Sequence, residues 1–227
     1  MEEVTQAAKT DAGGKEDDDE PLLKEWVGLL VRAGCWALLI YLFIFQVSVV
    51  DGPSMEPTFN NGDRLVIDKL TYRFSNPERF DIIVFETVDR DKLPRMPRDY
   101  IKRVIGLPNE VVEFHDGVVW VRQSPGAPAE RLQEPYGITD AETLGGNARG
   151  QSFLIPSGYY LVLGDNRSGS KDSRVKQGPG GSYGNAHYET LGLVPTGQIK
   201  GVVRLRLWPW KRWTWFSRGV EQTTVKE

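Results

Sequence analysis

Ser54, Lys102 and a serine-, aspartate- and arginine-rich cluster at 164–174 are the residues whose types suit covalent catalysis. Ser54 lies in GPSMEPTF at 52–59, Lys102 in DYIKRVIGLP at 99–108, and the cluster reads GDNRSGSKDSR. A serine hydroxyl attacks a carbonyl only when a base takes its proton. The two histidines are poor candidates, since His115 falls in a predicted hairpin turn and His187 in a Gly-rich stretch, so a Ser-His-Asp triad is disfavoured. A lysine can replace histidine provided it is neutral. Free lysine has a pKa of about 10.4, so a base poised near 7–8 needs a depression of roughly three units, or about 4 kcal/mol, which desolvation can supply.

Local sequence supports each assignment. Gly52-Pro53 before Ser54 and Pro57 after it preclude a regular helix and force a tight loop that holds the side chain outward. Strand alternation puts Tyr100, Lys102 and Val104 on one apolar face and Arg103 on the opposite, wet side. Ser170 is placed to hydrogen-bond a neutral lysine and aim its lone pair at Ser54. Asp165 and Asp172 are expected to pair Arg167 and Arg174 and stiffen the loop. Taken singly, these are ordinary features: a turn serine, a strand-edge lysine and a polar turn. The aspartate spacing does not match an EF-hand, nor the glycines a P-loop. Two distant histidines and one cysteine form no ligand cluster, so neither metal nor any other cofactor is expected.

The elements that must position these residues begin with an apolar run over Trp26–Val50, interrupted only by Arg32. Its uncharged part, Ala33–Val50, spans 18 residues, the length a helix needs to cross ~30 Å of hydrocarbon. Arg32 can snorkel to the headgroups and Trp26 suits the aromatic belt. A cleaved signal peptide fits less well, because the lead is acidic and Val47-Ser48-Val49 is a poor cleavage site. Residues 26–50 are therefore read as a single transmembrane anchor. Lys24 and Arg32 precede the uncharged part, while the first basic residue after it is Arg64. The N-terminus is therefore expected in the cytoplasm and the large domain on the extracytoplasmic side of the cell membrane. Residues 1–25 carry three basic and nine acidic side chains and read as a disordered tail. The remainder, with 25 basic and 22 acidic residues, is too weakly basic to argue for a nucleic-acid partner. Cys35 is the only cysteine, so no intrachain disulfide is possible.

Residues 51–227 read as a mostly β catalytic domain. Strands are predicted at Arg64–Lys69, Asp81–Glu86, Tyr100–Ile105, Glu110–Phe114, Val118–Arg122, Tyr159–Leu163 and Ile199–Leu207, with a hairpin turn at His115-Asp116-Gly117. No long 3.6-residue period follows residue 50. Inserts at 123–151 and 175–190, rich in Gly with Pro and Ala, read as surface excursions. Four of the seven tryptophans fall in Trp208–Trp215. One or two of them are expected to close the core, and the segment as a whole is expected to help seat the domain on lipid.

The three motifs, in this order, resemble the boxes of the type I signal peptidase (leader peptidase) family, membrane-anchored Ser/Lys endopeptidases. The likeness covers the anchor, most of 46–122 and 154–174, and LGLVPTGQIKG at 191–201. It implies a β-rich catalytic domain resting on the membrane, with Ser54 as nucleophile, Lys102 as general base and Ser170 orienting the lysine. It further implies supporting roles for Asp165, Arg167, Asp172 and Arg174, and pockets for small side chains lined by Met55, Tyr100 and Ile101. The substrates implied are secretory precursors with small residues at −1 and −3, bound extended. Three departures stand out. Gly52 occupies a position where some members carry an oxyanion-donating serine, so backbone N–H groups must supply that function. Asn109-Glu110 replaces the usual Gly-Asp, and 175–190 separates two motifs normally adjacent. Two alternatives stay open: a processing peptidase dedicated to one substrate, and a catalytically inactive, membrane-anchored binding module.

Overall fold

The structure, a computed structural model, describes residues 19–88, 97–115, 118–134, 150–174 and 191–219. The chain divides into two units after Leu42. The first carries helix α1, Asp19–Phe43. Residues 19–25, expected in a disordered tail, are therefore helical; residues 1–18 lie outside the described residues. The helix also stops before Val50. Phe45–Val49 (FQVSV) alternates in character and forms strand β1, paired antiparallel with β2, Arg64–Asp68. The uncharged helical stretch is thus Ala33–Phe43, shorter than expected. Among the described residues no helix is long and apolar enough to cross a membrane.

The second unit is mostly β. After β1 and β2 come a single-turn helix α2 (Thr71–Phe74), β3 (Ile82–Val88), β4 (Pro97–Gly106), β5 (Val111–His115), β6 (Val118–Arg122) and β7 (Glu130–Arg131). They are followed by β8 (Gln151–Leu154), β9 (Tyr159–Leu163), β10 (Val194–Pro195), β11 (Ile199–Trp208) and β12 (Thr214–Trp215). The seven strands expected from periodicity are present, with ends moved by a few residues. Five short strands that the sequence reading did not anticipate join them: β1, β7, β8, β10 and β12. All pairings are antiparallel. The larger sheet runs β1-β2-β11-β3-β4-β9-β10 with β12 on β11, and the smaller runs β7-β6-β5-β8. The expected hairpin joins β5 to β6 with His115 opposite Val118; Asp116 and Gly117 lie outside the described residues.

The insert at 123–151 is structured at both ends, because Glu130–Arg131 pairs with β6, Leu132 packs on the core and Gln151 opens β8. Residues 135–149 and the whole of 175–190 lie outside the described residues. One core lies between the sheets, where Ile105, Val112, Phe114, Ile155 and Leu161 meet. A second lies under the loop after β1, around Met55, Phe59, Leu65, Val84 and Phe216. Strand β4 runs between β3 and β9 and carries Lys102 on one side and Arg103 on the other.

Candidate active site

Ser54 sits on the loop between β1 and β2. Backbone bonds clamp the base of that loop, from Val50 N–H to Asp63 O (2.9 Å) and from Gly62 N–H to Val50 O (2.9 Å). Met55, next after the serine, and Phe59 further along the loop are buried in the core beneath and fix the loop from below. Gly52 has a φ of 101°, a left-handed conformation that a side chain would strain, and its N–H donates to Asn61 Oδ1 at 2.9 Å. These anchors leave Ser54 half-buried at the surface of the loop.

Lys102 reaches Ser54 from β4. Its Nζ lies 2.7 Å from Ser54 Oγ and donates to Ile101 O at 2.8 Å. The residue is 2% exposed. The Tyr100 ring covers it, with Nζ 5.8 Å from the ring centroid. Burial lowers the lysine pKa from 10.5 to about 8, against the opposing pull of the Asp172 and Asp165 carboxylates. An amine poised there is substantially neutral under mildly alkaline conditions, and a hydroxyl at hydrogen-bond distance can pass it a proton.

The loop after β9 closes the site from the other side. Asn166 N–H donates to Ser54 O at 3.2 Å, and Asn166 Nδ2 to Pro53 O at 3.2 Å. A Cβ added to Gly164 would fall 2.1 Å from Ser170 Oγ and 2.4 Å from Ser54 O. Glycine is thus the residue that lets the two serine-bearing loops touch. Ser170 is fully buried beside it, yet among the described residues its Oγ has no hydrogen-bond partner, and the Lys102 amine is directed to Ser54 and Ile101 instead. The bond expected between the lysine and Ser170 is therefore not made.

The ion pairs differ from expectation in one respect. Asp172 pairs Arg174 as anticipated, through Nε to Oδ1 (2.9 Å) and Nη2 to Oδ2 (2.7 Å), and also accepts Gly164 N–H at 3.1 Å. Burial pushes the Asp172 carboxyl up, but hydrogen bonds and charge from Arg174 outweigh it and hold the group below the usual carboxylate range. Asp165, however, binds Arg103, through Nε to Oδ1 (2.9 Å) and Nη2 to Oδ2 (2.6 Å). Arg103 is not on a wet face. It is 4% exposed, because the loop after β9 covers the side of β4 opposite Lys102. Arg167 binds both carboxylate oxygens of Glu134 and donates from Nε to Gly164 O at 3.0 Å. Glu134 and Gly164 were not singled out by sequence reasoning, and Arg103 was read only as a wet-side residue. The KR pair of IKRVIG was a usable signal for Arg103, whereas Glu134, within the Pro- and Gly-rich 123–151, had none.

A groove of about 270 Å³ opens on the Ser54–Lys102 pair. Ser48–Val50 of the β1 side and Arg98–Ile101 of β4 form its walls, Met55 lies at its base, and Gly169 and Lys171 reach its rim. Tyr100, Ile101 and Met55 thus border the same space as the serine and lysine.

The C-terminal aromatic segment is held to the nucleophile loop. Arg206 donates from Nη1 to Thr58 O at 2.6 Å and from Nη2 to Thr214 Oγ1 at 2.7 Å. Phe216 packs edge-on against Phe59 with ring centroids 5.0 Å apart. Phe216, rather than any of the tryptophans, closes this core. Trp208, Trp210, Trp213 and Trp215 are each at least half exposed.

The family profile of signal peptidase, peptidase S26, matches residues 23–208. A probable signal peptidase I-2 of Synechocystis is 32% identical over 211 residues, covering 92% of this chain and 85% of its own. A signal peptidase I of Bacillus caldolyticus is 34% identical over 189 residues, covering 79% of this chain and 88% of its own. A solved signal peptidase I from Enterococcus faecalis aligns over 56% of this chain and 97% of its own, with 28% identity and a TM-score of 0.37. With a profile match from the end of the charged N-terminal stretch to the end of β11 and relatives alike over most of its length, the chain belongs to the signal peptidase family, peptidase S26, and is a hydrolase of the serine peptidase class.

Proposed function

We propose that this protein is a membrane-anchored endopeptidase that removes signal peptides from secretory precursors, with Ser54 as nucleophile and Lys102 as general base. The observation that carries the reading is the 2.7 Å contact between Ser54 Oγ and a lysine amine shut away from water. Neutral Lys102 accepts the Ser54 proton while its bond to Ile101 O holds the amine in place. The oxygen adds to the scissile carbonyl, and the C–N bond breaks as Lys102 returns the proton to the leaving amine. Lys102 then activates water against the acyl-enzyme. Among the described residues no acceptor takes the Ser54 N–H, which is free to donate to the oxyanion, whereas the Gly52 N–H is held by Asn61.

The substrate binds extended. Strand β9 pairs with β4 only from Arg103 onward, so the outer edge of Arg98–Ile101 borders the groove and can accept a further strand. Met55, Tyr100 and Ile101 bound a narrow space that favours small side chains at −1 and −3 and excludes large ones. Asp165, Arg167, Asp172, Arg174 and Ser170 support the loop against Ser54. Membrane attachment rests on α1, whose Trp26, Leu30 and Trp36 are largely exposed, with Lys24 and Arg32 on the cytoplasmic side. Trp26–Phe43 gives about 27 Å of helix at 1.5 Å per residue, a little short of a ~30 Å hydrocarbon core, and Arg32 lies where it can snorkel to the headgroups. The exposed tryptophans of 208–215, interleaved with Lys211 and Arg212, help seat the catalytic domain on lipid.

The test is cleavage of a model secretory precursor by the full chain and by Ser54→Ala and Lys102→Ala variants in detergent. Both variants are expected to be inactive and folded, with the double variant no worse than either. Substantial cleavage by either single variant would remove the dyad.

A further inference from the structure

We infer that Glu134, just after β7 beside the smaller sheet, is a positioning residue for the reaction, holding the Gly164–Ser170 wall against Ser54 through Arg167. The inference rests on the Ser54–Lys102 reading and extends it to a residue outside the three motifs. The Glu134 and Arg167 side chains are 7% and 0% exposed, and both carboxylate oxygens accept from the guanidinium. Such a two-bond fork fixes the plane and direction of the arginine as well as its charge. The third guanidinium nitrogen, Nε, then grips Gly164 O at 3.0 Å. Asp172 takes the N–H of the same glycine at 3.1 Å, and Arg174 reaches back to Arg167 O at 2.7 Å. Gly164 is therefore held at both of its backbone polar groups.

That glycine is the contact point with the nucleophile loop. Its missing Cβ leaves room for Ser170 Oγ and for the carbonyl oxygen of Ser54 itself. The next residues continue the contact, since Asn166 N–H donates to Ser54 O. A displacement of Gly164 is thus transmitted directly to the backbone of Ser54. It also loosens the surroundings of Lys102, whose amine feels the Asp172 and Asp165 carboxylates of this loop and lies against the Tyr100 ring and Ser54 Oγ. Removing Glu134 takes the two-bond fork from the buried Arg167 guanidinium and so loosens its grip on Gly164 O.

The experiment compares Glu134→Gln and Glu134→Ala with wild type and with a Ser54→Ala control, all as full chains in detergent, over a pH series with a model precursor. Positioning predicts that kcat falls roughly 10- to 100-fold in Glu134→Ala while KM stays within about twofold. The alkaline-going limb of kcat/KM should move up by about half a pH unit or more as water reaches Lys102, and Gln should lose less than Ala. A folded Glu134→Ala with wild-type kcat and limb, or with only a lowered Tm, overturns the inference. If the alanine variant does not fold, Glu134→Gln decides by the same two readouts. Cleavage by Ser54→Ala would instead sink the nucleophile assignment, whereas a dead Ser54→Ala beside unaltered Glu134 variants refutes positioning alone.

Discussion

Replacing Lys102 by methionine should destroy activity and yet stabilise the fold near neutral pH. The side chain is 2% exposed, and its pKa falls from 10.5 in the open chain to about 8 when folded. At 1.36 kcal/mol per unit, keeping the ammonium buried below pH 8 costs about 3 kcal/mol. Methionine fills nearly the same volume without charge, but forfeits the bonds to Ser54 Oγ and Ile101 O, together about 1–2 kcal/mol. The net gain at pH 7 is about 1–2 kcal/mol. A depressed lysine pKa means that the unfolded chain binds the extra proton, so wild-type stability recovers as pH rises from about 8 to 10.5. The advantage of Lys102→Met should therefore be full at pH 7, shrink across that window and reverse above it. Denaturant unfolding of both full chains in detergent, followed by tryptophan fluorescence at pH 7 and 10.5, gives the comparison. A methionine variant that is less stable at pH 7, or a gap that does not change with pH, would refute the claim that this amine is held desolvated.

The remaining expectations concern the walls of the site and the membrane face. Gly164→Ala should cost about 1–3 kcal/mol and most of the activity, because its methyl meets Ser170 Oγ and Ser54 O well inside contact distance; unchanged kcat would show that the two loops separate freely. Asp165→Asn leaves Arg103 charged and buried without its carboxylate, so the denaturant midpoint should fall by the equivalent of about 3–5 kcal/mol. A change below about 1 kcal/mol would mean that the pair is solvated. A chain lacking residues 1–42, which retains β1, should bind anionic vesicles with a blue shift in tryptophan emission. Serine at Trp208, Trp210, Trp213 and Trp215 should weaken both effects, and a truncated domain indifferent to vesicles would oppose membrane seating.

Much of the fold was legible because its strands announce themselves. RLVID, DIIVFE, VVWVR and YYLVL are β-branched, alternate or fully apolar, and are bounded by turn residues, which local physics reads directly. Residues such as FQVSV were not legible, because an apolar run that leaves a helix reads as more helix until a partner strand exists for it. Arg103 shows the same limit within a strand. Alternation says which side of β4 it occupies, but only the loop after β9, distant in sequence, decides that this side is covered and that Asp165 waits there. Ser54 and Lys102 could be nominated because three motifs stand together in one chain, although singly each reads as an ordinary turn serine or strand-edge lysine. Glu134 could not, because its partner lies 33 positions away and nothing near it in sequence distinguishes it from any acidic loop residue.

The central claim is that a neutral, desolvated Lys102 activates Ser54, and the pH dependence of kcat/KM for precursor cleavage tests it most directly. With a pKa of about 8, roughly a tenth of the lysine is neutral at pH 7 and roughly nine-tenths at pH 9. Activity should therefore rise with pH along a single limb with a midpoint near 8 and level off before pH 10. A limb that still climbs beyond pH 10, as a solvated lysine would give, contradicts the account.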